Sequence, residues 1–185
     1  MGEEGGDPAQ RALPGLIGDP SGPGRELLDL TVAAAGIGTF DWDLTTGTLN
    51  WDERLLELFG YDPDRFARRI EAFNARLHPD DVDRVGALLT RAIDTVGEYS
   101  AEYRVCLPGG QQRWLAARGR ALADEHGGAA RLLGAAWDIT DRRRAQDRIA
   151  AVVEAMAVGF IALDRDWVMT HLNAETERIS GTARA

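Results

Sequence analysis

Leu132-Leu133-Gly134-Ala135-Ala136-Trp137-Asp138-Ile139-Thr140, followed at once by Asp141-Arg142-Arg143-Arg144, is a strand-like apolar run that becomes an arginine-rich helical pattern with no loop between. Asp138 and Thr140 stand where the helix begins. Their side-chain oxygens suit the free backbone N–H groups and the positive end of a first helical turn. The end of a strand is thereby coupled to the start of a helix, which is how a domain would hand a small internal movement to something downstream. An Asp-Ile-Thr cap alone would fit any α/β protein, so its meaning rests on the chain around it.

Two strands precede this run. Tyr99, Ala101, Tyr103 and Val105 alternate with polar residues up to Pro108-Gly109-Gly110, and Trp114 to Leu122 runs back to a turn at Gly127-Gly128. Period two is the mark of a half-buried strand. With Arg131 to Thr140 they form a three-strand meander. Farther upstream, Phe40, Trp42 and Leu44 alternate with Thr39, Asp41 and Asp43, and the pattern resumes at Leu49 and Trp51 after Thr45-Thr46-Gly47, as in a β-hairpin. Helical segments fill the middle. Asp52 caps a helix over Glu53 to Phe59 that stops at Gly60, Tyr61-Asp62-Pro63 breaks the chain, and short helical pieces run from Asp64 to Leu77. His78-Pro79-Asp80-Asp81 then opens the longest internal helix, with Val82, Val85, Leu88, Leu89, Ala92 and Ile93 on one side. Two strands, several helices and three strands predict an α+β fold: a five-stranded antiparallel sheet with helices packed on one face.

Linker helices are expected on both sides. Arg25 to Ala35 reads as a short N-terminal helix, after a Gly-, Pro- and acid-rich tail over 1–24 that is expected to be disordered. Beyond Thr140, Ala145, Ile149, Val152 and Met156 recur at coiled-coil spacing along 141–157, a segment about 25 Å long as a helix. The chain then repeats itself. Val158 to Gly181 aligns without a gap on Ile37 to Gly60, at an offset of 121 residues. Gly38, Asp43 and Gly60 recur as Gly159, Asp164 and Gly181, and Ile37, Phe40, Trp42, Trp51 and Leu58 recur as Val158, Ile161, Leu163, Leu172 and Ile179. A hairpin and one helix cannot bury a core, so the second copy, 158–185, is expected to be the start of a further domain in a longer protein.

Composition narrows the function. At 185 residues and 44% hydrophobic content, the chain fills one domain with pieces to spare. A net charge of −9 argues against nucleic acid and anionic membrane as partners. Every basic residue is arginine, which with the abundance of Ala, Gly and Asp suggests GC-rich coding of an actinobacterial kind. The single cysteine, Cys106, excludes an intrachain disulfide and fits a reducing cytosol. No apolar run reaches the roughly 20 residues of a membrane span, and a cytoplasmic location is expected.

Taken together, residues 36–140 resemble a PAS domain of the variety with Trp-flanked N-terminal strands. The matching stretches are FDWDLTTGTLNWDERLLELFGYDPDRF, LHPDDVDRV, EYRVCLPGGQQRWLAARGRAL and LLGAAWDITDRRRAQ, and VGFIALDRDWVMTHLNAETERISG looks like the opening of a second such domain. The resemblance implies a sensory or dimerisation module of a bacterial signalling protein. It also implies a small pocket between sheet and helices, and a signal relay at Trp137, Asp138, Ile139 and Thr140. Pocket candidates are Phe40, Leu89, Ala92, Ile93, Tyr103 and Ala135.

Other chemistry finds little support. Cys106 lies on a strand near a turn, and the Asn-Cys-Arg-Phe motif of photosensory relatives is missing, which disfavours flavin. No histidine stands on the long helix to ligate haem; His78 precedes Pro79 in what resembles a structural motif. His78, His126 and His171 lack metal-ligand spacing, so no metal is expected. No nucleophile–base constellation or phosphate loop is visible, and the chain is read as non-enzymatic. Trp42, Trp51 and Trp114 are expected to fill the core, and Asp138 to pair with Arg104 or Arg118. The expected function is relay of a small-molecule or partner signal into a fused effector, with homodimerisation through helices 25–35 and 141–157. The alternatives are a ligand-free association scaffold, or the regulatory fragment of a histidine kinase, diguanylate cyclase or serine/threonine phosphatase.

Overall fold

The computed structural model describes residues 34–181; the tail 1–24 and nearly all of the helix expected over 25–35 lie outside the described residues. In chain order the elements are β1 (Ile37–Asp43), β2 (Leu49–Trp51), α1 (Glu53–Phe59), a 3-10 turn (Pro63–Arg65), α2 (Ile70–Asn74), α3 (Pro79–Asp94), β3 (Glu98–Cys106), β4 (Gln112–Ala123), β5 (Ala129–Asp138), α4 (Thr140–Ala155), β6 (Ile161–Leu163), β7 (Met169–Leu172) and α5 (Ala174–Ser180). The first five strands form one antiparallel sheet in the order β2-β1-β5-β4-β3, as the strand and helix patterning predicts.

Local chemistry sets these elements. Asp43 Oδ1 accepts the N–H groups of Thr45 and Thr46 at 2.9 and 2.8 Å, closing the β1–β2 turn. Asp52 Oδ1 caps α1 by accepting from Leu55 N at 2.8 Å, while its Oδ2 takes the N–H and hydroxyl of Thr39 at 2.8 and 2.7 Å. One carboxylate thus fastens the hairpin to the helix that follows it. Gly60, at φ 67°, ends α1 in the left-handed conformation that favours glycine.

Helices α1 to α3 cover one face of the sheet. Leu55, Leu58, Phe59, Val85, Val105, Leu115 and Leu132 are almost wholly excluded from solvent, each burial contributing about 1.5–3 kcal/mol. An aromatic cluster fills the β2 end: Trp51 stacks on Phe66 at 4.6 Å, and Phe73 meets Tyr103 edge-on at 5.5 Å. In the middle of the inner face the two central strands carry glycine at one row. Register places Tyr99, Gly119, Gly134 and Phe40 in one row across four strands, and the Phe40 ring lies in the trough above the two glycines. A Cβ on Gly134 would stand 2.3 Å from Phe40 Cζ and 2.4 Å from the Arg118 carbonyl oxygen, so only glycine fits.

Several expectations need correcting. Strand β5 ends at Asp138 and α4 already begins at Thr140, one residue earlier than expected, and ends at Ala155. Ala135 sits between inward-facing Gly134 and Ala136, with its side chain on the opposite face; Ala136 is the fully buried neighbour. Trp114 also lies outside the core cluster, since it precedes inward-facing Leu115 and is covered from the far side by α4.

Residues 161–181 form a second hairpin and helix that share several contacts with the first, although a register shift changes the pairing at Leu163. Ile161 pairs with Leu172 and Ala162 with His171, as Phe40 pairs with Trp51 and Asp41 with Asn50. Asp164 Oδ1 accepts from Asp166 N as Asp43 does from Thr45 N. Asn173 caps α5 as Asp52 caps α1, and Gly181 (φ 69°) closes it as Gly60 closes α1.

Candidate functional site

Two features of the fold bear on function: a cavity in the core and the junction where β5 becomes α4. The cavity measures about 30 Å³, room for little more than water, and is walled chiefly by Phe40, Trp42, Trp51, Phe59, Leu89 and Tyr103. Of the expected pocket residues, Phe40, Leu89 and Tyr103 line it. Ala92 is buried in the core beside it, Ile93 is half-buried on α3, and neither reaches the wall; Ala135 is on the other side of the sheet. Sequence reasoning missed Tyr99, on the wall and 3% exposed, because its parity on β3 matches that of Tyr103 but its depth depends on the packing of α3. The Tyr99 hydroxyl and the Trp42 indole N–H have no hydrogen-bond partner among the described residues. Burial pushes the Tyr99 hydroxyl well above the ordinary phenol range, against a smaller opposing effect of Arg84.

At the junction the β4–β5 ladder runs on past the end of β5. Ile139 N donates to the Trp114 carbonyl at 2.9 Å. The next rung is a side chain: Trp114 N donates to Thr140 Oγ1 at 2.9 Å. Thr140 is therefore both the first residue of α4 and the last acceptor of the sheet. Asp138 Oδ1 accepts the Thr140 N–H at 2.7 Å, which orients the turn between them, and Ile139, the residue at the cap itself, offers no side-chain bond.

Asp138 pairs with Arg113 rather than with Arg104 or Arg118, Nε to Oδ2 at 3.2 Å. The Nη1 of the same guanidinium donates to the carbonyls of Leu58 and Glu57 at 2.7 and 3.1 Å, at the C-terminal end of α1. The Glu57 carbonyl also accepts the Gly60 N–H at 3.1 Å, and the Leu58 carbonyl lies in the last turn, where the helix supplies no donor of its own. Because Leu55 and Phe59 of α1 wall the cavity, Arg113 ties a cavity-lining helix to the strand–helix junction.

A second tie runs round the β3 edge. Asp81, 5% exposed, accepts from Arg104 N and Nε at 2.9 and 3.0 Å, and the Arg104 side chain, outweighing the opposing effect of burial, holds this carboxyl well below the usual range. Arg84 on α3 donates to the Glu102 carbonyl at 2.7 Å. Glu102 in turn pairs with Arg142 and Arg143 of α4; burial works to raise its pKa, but those two arginines lower it overall. The guanidiniums of Arg143 and Arg104 lie over the Trp114 ring, 4.7 and 5.6 Å from its centre.

Cys106 is a half-buried free thiol on β3, and His78 caps α3 by accepting from Asp80 N at 3.3 Å. Among the described residues no group of His, Cys, Asp or Glu is placed to hold a metal, and no helix is long and apolar enough to cross a membrane.

Residues 48–136 match the family model described as PAS fold. A solved sensory box histidine kinase/response regulator of Burkholderia thailandensis shares 32% identity and a TM-score of 0.59, the alignment covering 68% of this chain and 93% of that one. Sensor protein FixL of Bradyrhizobium diazoefficiens is 26% identical over 91% of this chain and 35% of its own length. The probable diguanylate cyclase DgcE of Escherichia coli is 23% identical over 84% of this chain and 15% of its own. The chain thus spans about a third or less of the curated relatives it matches.

Proposed function

The chain belongs to the PAS fold family, a sensor domain of signal transduction, and on that premise we propose that residues 36–140 convert a change in their core into a movement of α4. The observation that carries this reading is the double role of Arg113, which holds the end of cavity-lining α1 and, through Asp138, the start of α4. A shift of α1 by a fraction of an ångström must move Arg113 or break one of its bonds. Thr140, being a rung of the sheet, carries the change into the helix without slack.

In this reading the segment 141–157 transmits to an effector domain in the full-length protein, of the histidine kinase or diguanylate cyclase kind found among its relatives, in the cytoplasm. Parallel pairing of α4 with a second copy would cover Ile149, Val152 and Met156, which are 65, 64 and 43% exposed. Substituting Asp138→Ala, and separately Thr140→Ala, should uncouple output from input in the full-length protein while leaving the fold intact. Unchanged output in both would overturn the reading.

A specific observation bears on the input. The trough that could take a ligand is filled by Phe40, and the remaining cavity is about 30 Å³. A partner acting on the surface, or a ligand small enough to enter when Phe40 swings away, fits this core; a large preformed cofactor does not. Native mass spectrometry of protein purified from its own host separates the two. An added mass favours the ligand, and its absence favours the association scaffold.

A further inference from the structure

The two hairpin–helix units share their first strand pairs and their cap positions, which makes a chemical difference at the cap informative. At the capping position the first unit has Asp52 and the second has Asn173. Asp52 only accepts, from Thr39 N, Thr39 Oγ1 and Leu55 N. Asn173 keeps that acceptor role: its Oδ1 takes Phe160 N at 2.8 Å, Thr176 N at 3.1 Å and Thr176 Oγ1 at 2.8 Å. Phe160 and Thr176 are the counterparts of Thr39 and Leu55. The amide adds what a carboxylate lacks, two donated protons. Nδ2 donates to Val153 O and Val158 O, both at 3.0 Å, with Met156 O at 3.5 Å.

Those carbonyls belong to the last turn of α4 and the three residues that leave it. A helix C-terminus has four carbonyls without an internal partner, commonly relieved by a left-handed glycine. Here α4 ends at Met156 in an extended conformation (φ −65°, ψ 131°), so no such glycine closes it. The Met156 N–H reaches Val153 O only at 3.4 Å, and Asn173 adds a closer donor to it from the second unit; Asn173 is 0% exposed, so water does not compete. An aspartate there would aim a carboxylate at carbonyl oxygens.

We propose that Asn173 is the coupling residue by which residues 158–181, the opening of a second copy of the module, read the C-terminal end of α4. This rests on the relay reading given above. The helix is then gripped at both ends, by Thr140 in the first sheet and by Asn173 in the second unit, about 24 Å apart along the axis. Movement put in at one end is delivered at the other through Val153, in the last turn of α4, to which Asn173 is bonded directly.

Hydrogen exchange resolved by mass spectrometry on the 185-residue chain tests this, with Asn173→Asp, Asn173→Ser and Thr140→Val variants and the Thr140→Val/Asn173→Asp double variant. Asp and Ser both keep an N-cap acceptor, but Asp cannot donate to the carbonyls and Ser is too short to reach them. Exchange over 150–158 should rise about tenfold in both, while α5 keeps its protection. Thr140→Val should raise exchange over 160–180 in the unaltered background and fail to do so when combined with Asn173→Asp. Unchanged protection over 150–158, or a Thr140→Val effect that reaches 160–180 equally with Asn173→Asp, would overturn the proposal. So would loss of protection throughout 158–181 in both Asn173 variants, which would make Asn173 an ordinary fold residue of that unit. If Thr140→Val is silent beyond the first turn of α4 in the unaltered background, the relay reading itself fails and transmission fails with it, even where Asn173→Asp still loosens 150–158.

Discussion

Arg113 Nε lies 3.2 Å from Asp138 Oδ2 while Nη1 of the same side chain binds the Leu58 carbonyl at 2.7 Å. Arg113→Met should therefore free the end of α1 and the start of α4 together, at a cost of about 1–2 kcal/mol, since the site is only part-buried. Arg113→Lys should not rescue it, because a single ammonium cannot reach two diverging sets of acceptors as a planar fork can. Exchange at α4's first turn and signalling output of the full-length protein are the measurements. Full rescue by lysine would show that charge alone matters there.

Thr140 separates hydrogen bonding from shape. Thr140→Val keeps the volume but leaves the Trp114 N–H facing a methyl group, which should cost about 1–3 kcal/mol. Thr140→Ser retains the acceptor and should stay within about 0.5 kcal/mol. Urea midpoints on the two variants decide the matter. Greater destabilisation by serine than by valine would mean that the threonine acts through its methyl group.

How far these contacts could be read from the chain depends on parity and register. The β1–β2 hairpin, the Asp52 cap and the Gly60 stop are local, and alternation or cap chemistry suffices to find them. Leu132 to Trp137 is apolar on both faces, because helices cover the inner side and α4 approaches the outer, so alternation gives no parity. A one-residue slip there exchanges Ala135 for Ala136, and that is the error the expected pocket contained. Arg113 was invisible for a related reason: its partner depends on how far β4 runs past the end of β5. Trp114 reads as core in any sequence, yet its place is beneath Arg143.

Asp81 predicts acid lability. Its folded carboxyl is held well below the unfolded value of 3.8, so its contribution is fully present above about pH 5 and is lost as pH falls through 3.8 and lower. Asp81→Asn leaves Arg104 without its main partner and should cost about 2–3 kcal/mol at pH 7. The gap between wild type and variant should narrow steadily from pH 5 to pH 3 in urea unfolding. A gap independent of pH would place the acid sensitivity elsewhere.

Phe40 and the glycines beneath it predict an asymmetry between opening and closing the trough. Phe40→Ala removes a ring from the core and should cost about 3–5 kcal/mol, leaving an apolar cavity able to take benzene. Millimolar benzene should then raise the melting temperature of the variant but not of the wild type, since a ligand stabilises only the state that binds it. Gly134→Ala should be worse and should not be repaired by adding Phe40→Ala. The new Cβ meets Phe40 Cζ at 2.3 Å, but it also meets the Arg118 carbonyl oxygen at 2.4 Å, and the backbone of β4 cannot swing away as a ring can. Recovery of wild-type stability in the Phe40→Ala/Gly134→Ala double variant would show that β4 and β5 can part at this row, and that the trough is softer than its geometry implies.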